Sequence, residues 1–257
     1  MRYRLGSSCA YIGYSSDDRA GGFLRADFEK YGVDTSYMTV VDNTSAFCSC
    51  IWLSDDTASR TCVFHRGNVP PTQIDKRAAD AISKSKILMV DGNDMDAAVE
   101  GAKGAKASDT LVLYDAGGLY PGVERLLALT DILIPSEEFA LGHTGEKTVE
   151  AAAKKLWQMY QPKVIVITQG KVGGILFDGE KVTAYPAFLV DAVDTNGSGD
   201  VFHGAFAFAM TKGYSYEQCC VFSSAVSALK CTQVGARKGV PTYDDTIAFL
   251  KTRGVTL

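Results

Sequence analysis

Four short runs of almost unbroken apolar residues punctuate the middle of this chain: Lys86-Ile87-Leu88-Met89-Val90, Leu111-Val112-Leu113-Tyr114, Asp131-Ile132-Leu133-Ile134 and Val164-Ile165-Val166-Ile167. Each closes in polar, proline or glycine residues: Asp91-Gly92, Asp115-Ala116-Gly117-Gly118, Pro135-Ser136 and Thr168-Gln169-Gly170. A strand with one face in water alternates apolar and polar positions. A run that is apolar throughout has both faces covered, the condition of a parallel sheet between layers of helix. Helical patterns lie between the runs. The clearest is 148–160, with Val149, Ala152, Ala153, Leu156 and Met159 at helical spacing and Pro162 beyond its end. This order predicts a doubly wound α/β sheet. A hairpin follows it, Ile175-Leu176-Phe177 and 182–185 about an Asp178-Gly179 turn.

The first third reads differently. Residues 9–13 predict a strand and 22–31 a helix. Three strand-like runs with little helix signal follow, at 37–41, 45–53 and 61–65, the last two joined by an Asp55-Asp56 turn. Residues 35–66 are expected to form a small β-sheet lid. Residues 1–34 and 67–257 are expected to form the α/β body.

Composition narrows the function classes. The 257 residues are 46% hydrophobic and 22% charged, enough for a sizeable core. Lys and Arg number 26 against 30 Asp and Glu, and no basic stripe stands out, so no nucleic-acid partner is expected. No apolar run is long enough for a membrane span, so no membrane partner is expected either. The first residues carry no apolar segment of the signal-peptide kind. The seven cysteines are scattered and point to reduced thiols in the cytoplasm. Cys48 and Cys50, and the adjacent Cys219 and Cys220, lack metal-ligand spacing and read as buried small hydrophobes.

In an open α/β sheet, ligands bind at the carboxyl ends of the strands. The strongest candidate segment is Asp194-Thr195-Asn196-Gly197-Ser198-Gly199-Asp200, which runs straight into the apolar helix pattern 201–210. Free N–H groups at a helix start, together with the macrodipole, favour an anion, and the glycines let it approach closely. Asp200 at the helix mouth could accept a proton from an attacking hydroxyl. Phosphoryl transfer depends chiefly on positioning and electrostatics, so a weak base suffices. Rival motifs fail. Phe202 stands where a dinucleotide fingerprint needs Gly, and Asn196 where a nucleophile elbow needs it. Glu146 interrupts the P-loop-like run 142–148. His203 reads as a packed helix residue.

On these residues the chain resembles the ribokinase-like (PfkB) family of sugar and nucleoside kinases, whose signature is Asp-Thr-x-Gly-Ala-Gly-Asp; Ser198 stands at the Ala position. The resemblance implies a ribokinase-like three-layer α/β/α fold with a mostly parallel sheet and a small β-sheet lid. It implies Asp200 as catalytic base and the amides of Gly197, Ser198 and Gly199 as anion hole. Thr168-Gln169-Gly170-Lys171-Val172-Gly173 is similar to the family's nucleotide loop, which implies Thr168, Gly170 and Gly173 near ATP. Ser223 and Ala225 lie on the helix that borders adenine in the family. Residues 228–237 resemble its last nucleotide and cation loop. By that resemblance Asp194, Asn196 and Gly235 would hold a monovalent cation, K+, and Mg2+ would arrive with ATP. The family's Asn-x-x-Glu position reads Ser136-Glu137-Glu138-Phe139, with Glu137 or Glu138 as the substitute, Glu138 taken as the cofactor ligand. Residues 1–6 resemble the end of the family's first helix, so the chain is expected to begin late, without the opening strand and Gly-Gly segment of the sugar site. Asp91 would bond sugar hydroxyls or serve only as a turn residue. Arg66 would reach substrate or phosphate or lie solvated. The lid would close over the sugar and form a homodimer contact. The implied activity is ATP-dependent phosphorylation of a hydroxyl on a small sugar. The alternatives are a nucleoside kinase of the same fold, though no aromatic pair suited to stacking a base stands out in the lid, or a truncated non-catalytic nucleotide-binding protein.

Overall fold

The computed structural model describes residues 4–53 and 60–257. The Asp55-Asp56 turn and residues 1–3 lie outside the described residues. The chain divides into two compact units, Ser8–Gln73 and residues 4–7 with Ile74–Leu257.

The smaller unit holds β1 (Gly13–Ser16), α1 (Arg19–Lys30), β2 (Met38–Val41), β3 (Cys48–Leu53) and β4 (Arg60–His65). β1 and β2 pair in parallel, Gly13 opposite Met38. β3 and β4 form an antiparallel hairpin, Cys48 opposite His65. Residues 35–66 are therefore not one sheet: their first strand pairs with β1. The first strand itself lies at Gly13–Ser16, later than residues 9–13, where Ala10 makes only an isolated bridge to Asp34. The reason is chemical. Ser15 and Ser16 are buried strand residues whose polar groups are satisfied locally. The Arg25 guanidinium donates to Ser15 Oγ at 3.2 Å and to the Ser16 carbonyl at 2.7 Å. An apolar pattern does not reveal such a strand. Asp18 caps α1 by accepting the Gly21 N–H at 2.8 Å, so the helix begins three residues earlier than its apolar pattern. Cys48 and Cys50 are exposed, against the expectation of burial, because the hairpin is a two-stranded ribbon.

The larger unit runs α2 (Lys76–Ser83), β5 (Ile87–Val90), α3 (Met95–Lys106), β6 (Leu111–Ala116), α4 (Val123–Leu127), β7 (Ile132–Pro135), α5 (Glu137–Thr144), α6 (Val149–Tyr160), β8 (Val164–Thr168), β9 (Gly173–Phe177), β10 (Val182–Pro186), α7 (Ser198–Thr211), α8 (Tyr216–Cys231) and α9 (Tyr243–Thr252). Its six strands lie in the order β10-β9-β8-β7-β6-β5. β5 to β8 are parallel, and β9 and β10 add an antiparallel hairpin edge. Strand order follows chain order, so the reversal that defines a doubly wound sheet is absent from this sheet.

Alternate residues of the strands serve opposite faces. Leu113, Ile132, Ile134, Val164, Val166 and Leu176 join Phe206, Phe208 and Phe222 of α7 and α8 in one core. Tyr114, one residue on from Leu113, instead meets Phe139 of α5 edge-on at 6.3 Å. Helices thus cover both faces, giving three layers. Phe206 and Phe222 are fully buried, each contributing about 2 kcal/mol of burial.

Candidate active site

The site begins at the head of α7. Asp194 turns the chain by accepting the Asn196 N–H on Oδ1 at 2.8 Å. The Thr195 carbonyl accepts the Ser198 N–H at 3.1 Å, and the Gly197 carbonyl accepts from Val201 at 3.0 Å. Gly197 is the N-cap at φ 76°. This backbone region suits glycine, and a Cβ there would stand 2.9 Å from Ala236 Cβ. Ser198 spends its amide inside the turn, so it is not available to an anion. The N–H groups of Gly197, Gly199 and Asp200 have no acceptor among the described residues. The open donors are thus Gly197, Gly199 and Asp200, and Asp200 carries its carboxylate on the exposed first turn of α7.

Asp115, at the end of β6, faces this turn. Burial pushes its carboxyl from an ordinary 3.8 up to about 6; His203 opposes the shift, and Asp200 and Asp91 add to it. Asp91, Asp115 and Asp200 therefore share one field, at the carboxyl ends of β5 and β6 and the head of α7. His203 is buried, as its apolar helix pattern suggests, but it also does structural work at the site. Nδ1 lies 2.7 Å from the Gly199 carbonyl and 3.2 Å from Asp115 Oδ2, and Nε2 lies 3.0 Å from the Ile134 carbonyl. The ring ties the first turn of α7 to the ends of β6 and β7. Asp115 closes an apolar run, which puts it at the carboxyl end of a strand; its tie to His203 and its shifted pKa come from the structure.

A raised carboxyl pKa has a definite sign in stability. The folded state holds the Asp115 proton more tightly than the unfolded chain does. Stability is therefore greatest below about pH 4 for this group and is lost as pH rises toward 6, by up to ~3 kcal/mol. Asp115→Asn is expected to melt above the wild type at pH 8 and level with it at pH 4. An equal difference at both pH values would overturn the assignment.

The second part of the site is the loop after β8. Thr168 bridges to Ser136, and the Gln169 N–H donates to the Gly173 carbonyl at 2.8 Å. Gly170 (φ 56°) opens a 3-10 turn and presents no atom within 4 Å to an added Cβ, leaving room above the loop. Gln169 Nε2 donates to Glu137 Oε1 at 2.9 Å. Glu137, not Glu138, is therefore the acid tied to this loop; Glu138 is exposed beside it on α5.

The remaining sequence candidates divide. Asp194, Asn196 and Gly235 are brought together, with the Gly235 N–H donating to Asp194 Oδ2 at 2.8 Å. Ser223 and Ala225 are not at the surface: both are fully buried where α8 packs, Ala225 in the main core. At the head of α7, α8 contributes Ser227, whose hydroxyl donates to the Ser198 carbonyl at 3.0 Å. Asp91 is exposed and accepts from both the backbone and side chain of Asn93 at 2.9 Å. Arg66 belongs to the smaller unit, where its guanidinium lies 5.6 Å from the Phe64 ring centre. A cleft of about 730 Å³, absent from any sequence pattern, is lined by Leu189, Val190, Asp191, Val193, Thr232 and Arg253. Leu189 and Val193 are 78% and 61% exposed there.

A mostly parallel α/β sheet that ends at a Gly-Ser-Gly-Asp helix start, with open amides beside a carboxylate, defines a phosphoryl-transfer enzyme. The pfkB family of carbohydrate kinases matches residues 3–243. The ribokinase of Haemophilus influenzae is 27% identical over 254 residues, covering 96% of this chain and 83% of its own. The aminoimidazole riboside kinase of Salmonella typhimurium is 28% identical over 276 residues, covering 98% and 85%. The structure of Arabidopsis thaliana ribokinase complexed with ribose and ATP superposes with a TM-score of 0.86 at 26% identity, over 97% of this chain and 84% of that one. The chain belongs to the PfkB family of carbohydrate kinases. It is a phosphotransferase with an alcohol group as acceptor, of an ATP-using kinase family. Among the described residues, no helix is long and apolar enough to cross a membrane.

Proposed function

We propose that this chain transfers the γ-phosphoryl group of ATP to a hydroxyl of a small sugar. The observation that carries the reading is the pairing on one exposed helix turn of the Asp200 carboxylate with the open Gly199 and Asp200 amides. The base and the anion donors then share one rigid element. Asp200 takes the proton of the attacking hydroxyl. The amides hold the transferring group, whose charge falls where the α7 dipole favours it. Asp115 and Asp91 surround the hydroxyl's approach with negative charge. The loop from Thr168 to Gly173 receives the phosphates, and Gly170 lets their oxygens approach the backbone. The apolar shelf of Leu189 and Val193 suits a flat purine ring. Magnesium, when bound, neutralises phosphate charge. The exposed carboxylates of Glu137 and Glu138 at the head of α5 fit a hydrated ion of that kind.

The hairpin β3–β4 serves as lid and as homodimer contact. Trp52, Val63 and Phe64 are all exposed on it, and an isolated two-stranded ribbon with such a surface is not stable uncovered. Arg66, just past its end, is the cation this hairpin would offer to substrate or phosphate. The seven free thiols suit the cytoplasm.

The test is ADP release from MgATP against pentoses, ketohexoses, sugar acids and nucleosides. Release that depends on one sugar class is expected. Release driven only by nucleosides would replace the sugar reading with nucleoside phosphorylation. Silence throughout, with MgATP bound, would leave nucleotide binding without transfer.

A further inference from the structure

Lys230, in the last turn of α8, is fully buried. A buried ammonium needs oxygen partners, and this one has them in Asp194. Nζ donates to the Asp194 carbonyl at 2.7 Å and lies 4.0 Å from Asp194 Oδ1. The two oxygens of the same carboxylate accept the N–H groups of Asn196 and Gly235, each at 2.8 Å. The segment ahead of α7 and the loop after α8 thus converge on one positive charge that belongs to the chain.

A potassium ion bridging Asp194, Asn196 and Gly235 does not fit this arrangement. The Asp194 carbonyl already accepts from Nζ. The Asp194 carboxylate is committed as well, each of its oxygens accepting a backbone N–H. A second cation would lie beside the first where little water screens their repulsion. An alkylammonium and potassium carry the same charge and are close in size, so one can stand for the other.

We propose that the Lys230 ammonium is the built-in monovalent cation of this site, and that the enzyme runs at full rate without potassium. Lys230 is a positioning residue. It holds Asp194, three residues before Gly197, and through that turn sets the amides and carboxylate at the head of α7. The inference rests on the phosphoryl-transfer reading for its consequence in turnover, but not for its consequence in melting temperature.

The experiment compares the full chain and its Lys230→Ala and Lys230→Met variants in potassium chloride, ammonium chloride and tetramethylammonium chloride at equal ionic strength. Melting temperature and sugar-dependent ADP release are both read. The wild type is expected to show the same melting temperature and a rate within twofold in all three salts. Lys230→Ala is expected to lose tenfold or more in rate, and to melt lower, in tetramethylammonium. Potassium and ammonium should restore both in a saturable way by entering the vacated space. Lys230→Met, which fills that space without charge, should not be restored. A wild type stimulated fivefold or more, or stabilised, by potassium would overturn the proposal. So would a Lys230→Ala protein that equals the wild type in every salt. If Lys230→Ala does not fold, the wild-type salt series decides alone. A chain without kinase activity still reports through melting, so failure of the cation inference and failure of the kinase reading are separable.

Discussion

Asp200→Asn is expected to lower kcat by about 10³-fold while leaving MgATP affinity within about threefold of wild type. The substitution keeps size and hydrogen-bonding reach but removes the group that accepts the hydroxyl proton. The α7 backbone is fixed by other residues: the Thr195–Ser198 turn, the Gly197 cap and the His203 ties to Gly199 and Ile134. The amides that face the phosphoryl group therefore stay in place, and binding survives the loss of turnover. Asp200 is exposed, so its replacement leaves no orphaned buried partner and should barely move the melting temperature. Single-turnover kinetics with isothermal titration of MgATP separates the two effects. A near-normal rate in this variant would remove Asp200 from the mechanism. A matched loss of rate and nucleotide binding would make it a binding residue instead.

The second large effect is expected at Gly197. With φ at 76°, alanine there pays roughly 1 kcal/mol or more for the left-handed backbone, and its methyl would meet Ala236 Cβ at 2.9 Å. The strain relaxes by moving either the turn or the 235–236 loop. Movement of the turn displaces the Gly199 and Asp200 amides, and displacements near 1 Å cost on the order of 10²-fold in rate. Gly197→Ala is expected to melt several degrees lower and to lose about 10²-fold in kcat/KM. Gly199→Ala is the informative companion, because its Cβ would meet nothing within 4 Å. It should keep the wild-type melting temperature and still lose rate, since the methyl occupies space left for the phosphoryl group. Wild-type melting and turnover in Gly197→Ala would show that this turn neither strains nor positions anything.

The apolar runs at β5 to β8 state their own structure, because burial on both faces demands apolar side chains at every position. The helix start at Ser198 is equally plain, since Gly197, Gly199 and Asp200 are residues that turn geometry and helix polarity select locally. The family followed from that segment. Chain-local chemistry also set the caps at Thr148 and Ser136.

What the sequence left open depends on residues far apart in the chain. β1 is hidden because its buried serines are satisfied by Arg25, ten residues away. Ser223, Ala225 and Ser227 share one helix, and only the packing of α8 decides that Ser227 meets Ser198 while the others are buried. Asp115 becomes part of the site because β6 ends beside His203, 88 residues further on; the buried setting, not the residue type, moves its pKa. Lys230 in a pattern is an ordinary charged helix residue. Its placement against the Asp194 carbonyl, 36 residues away, gives it a role, because electrostatic interactions act through space and a linear sequence records only neighbours in the chain.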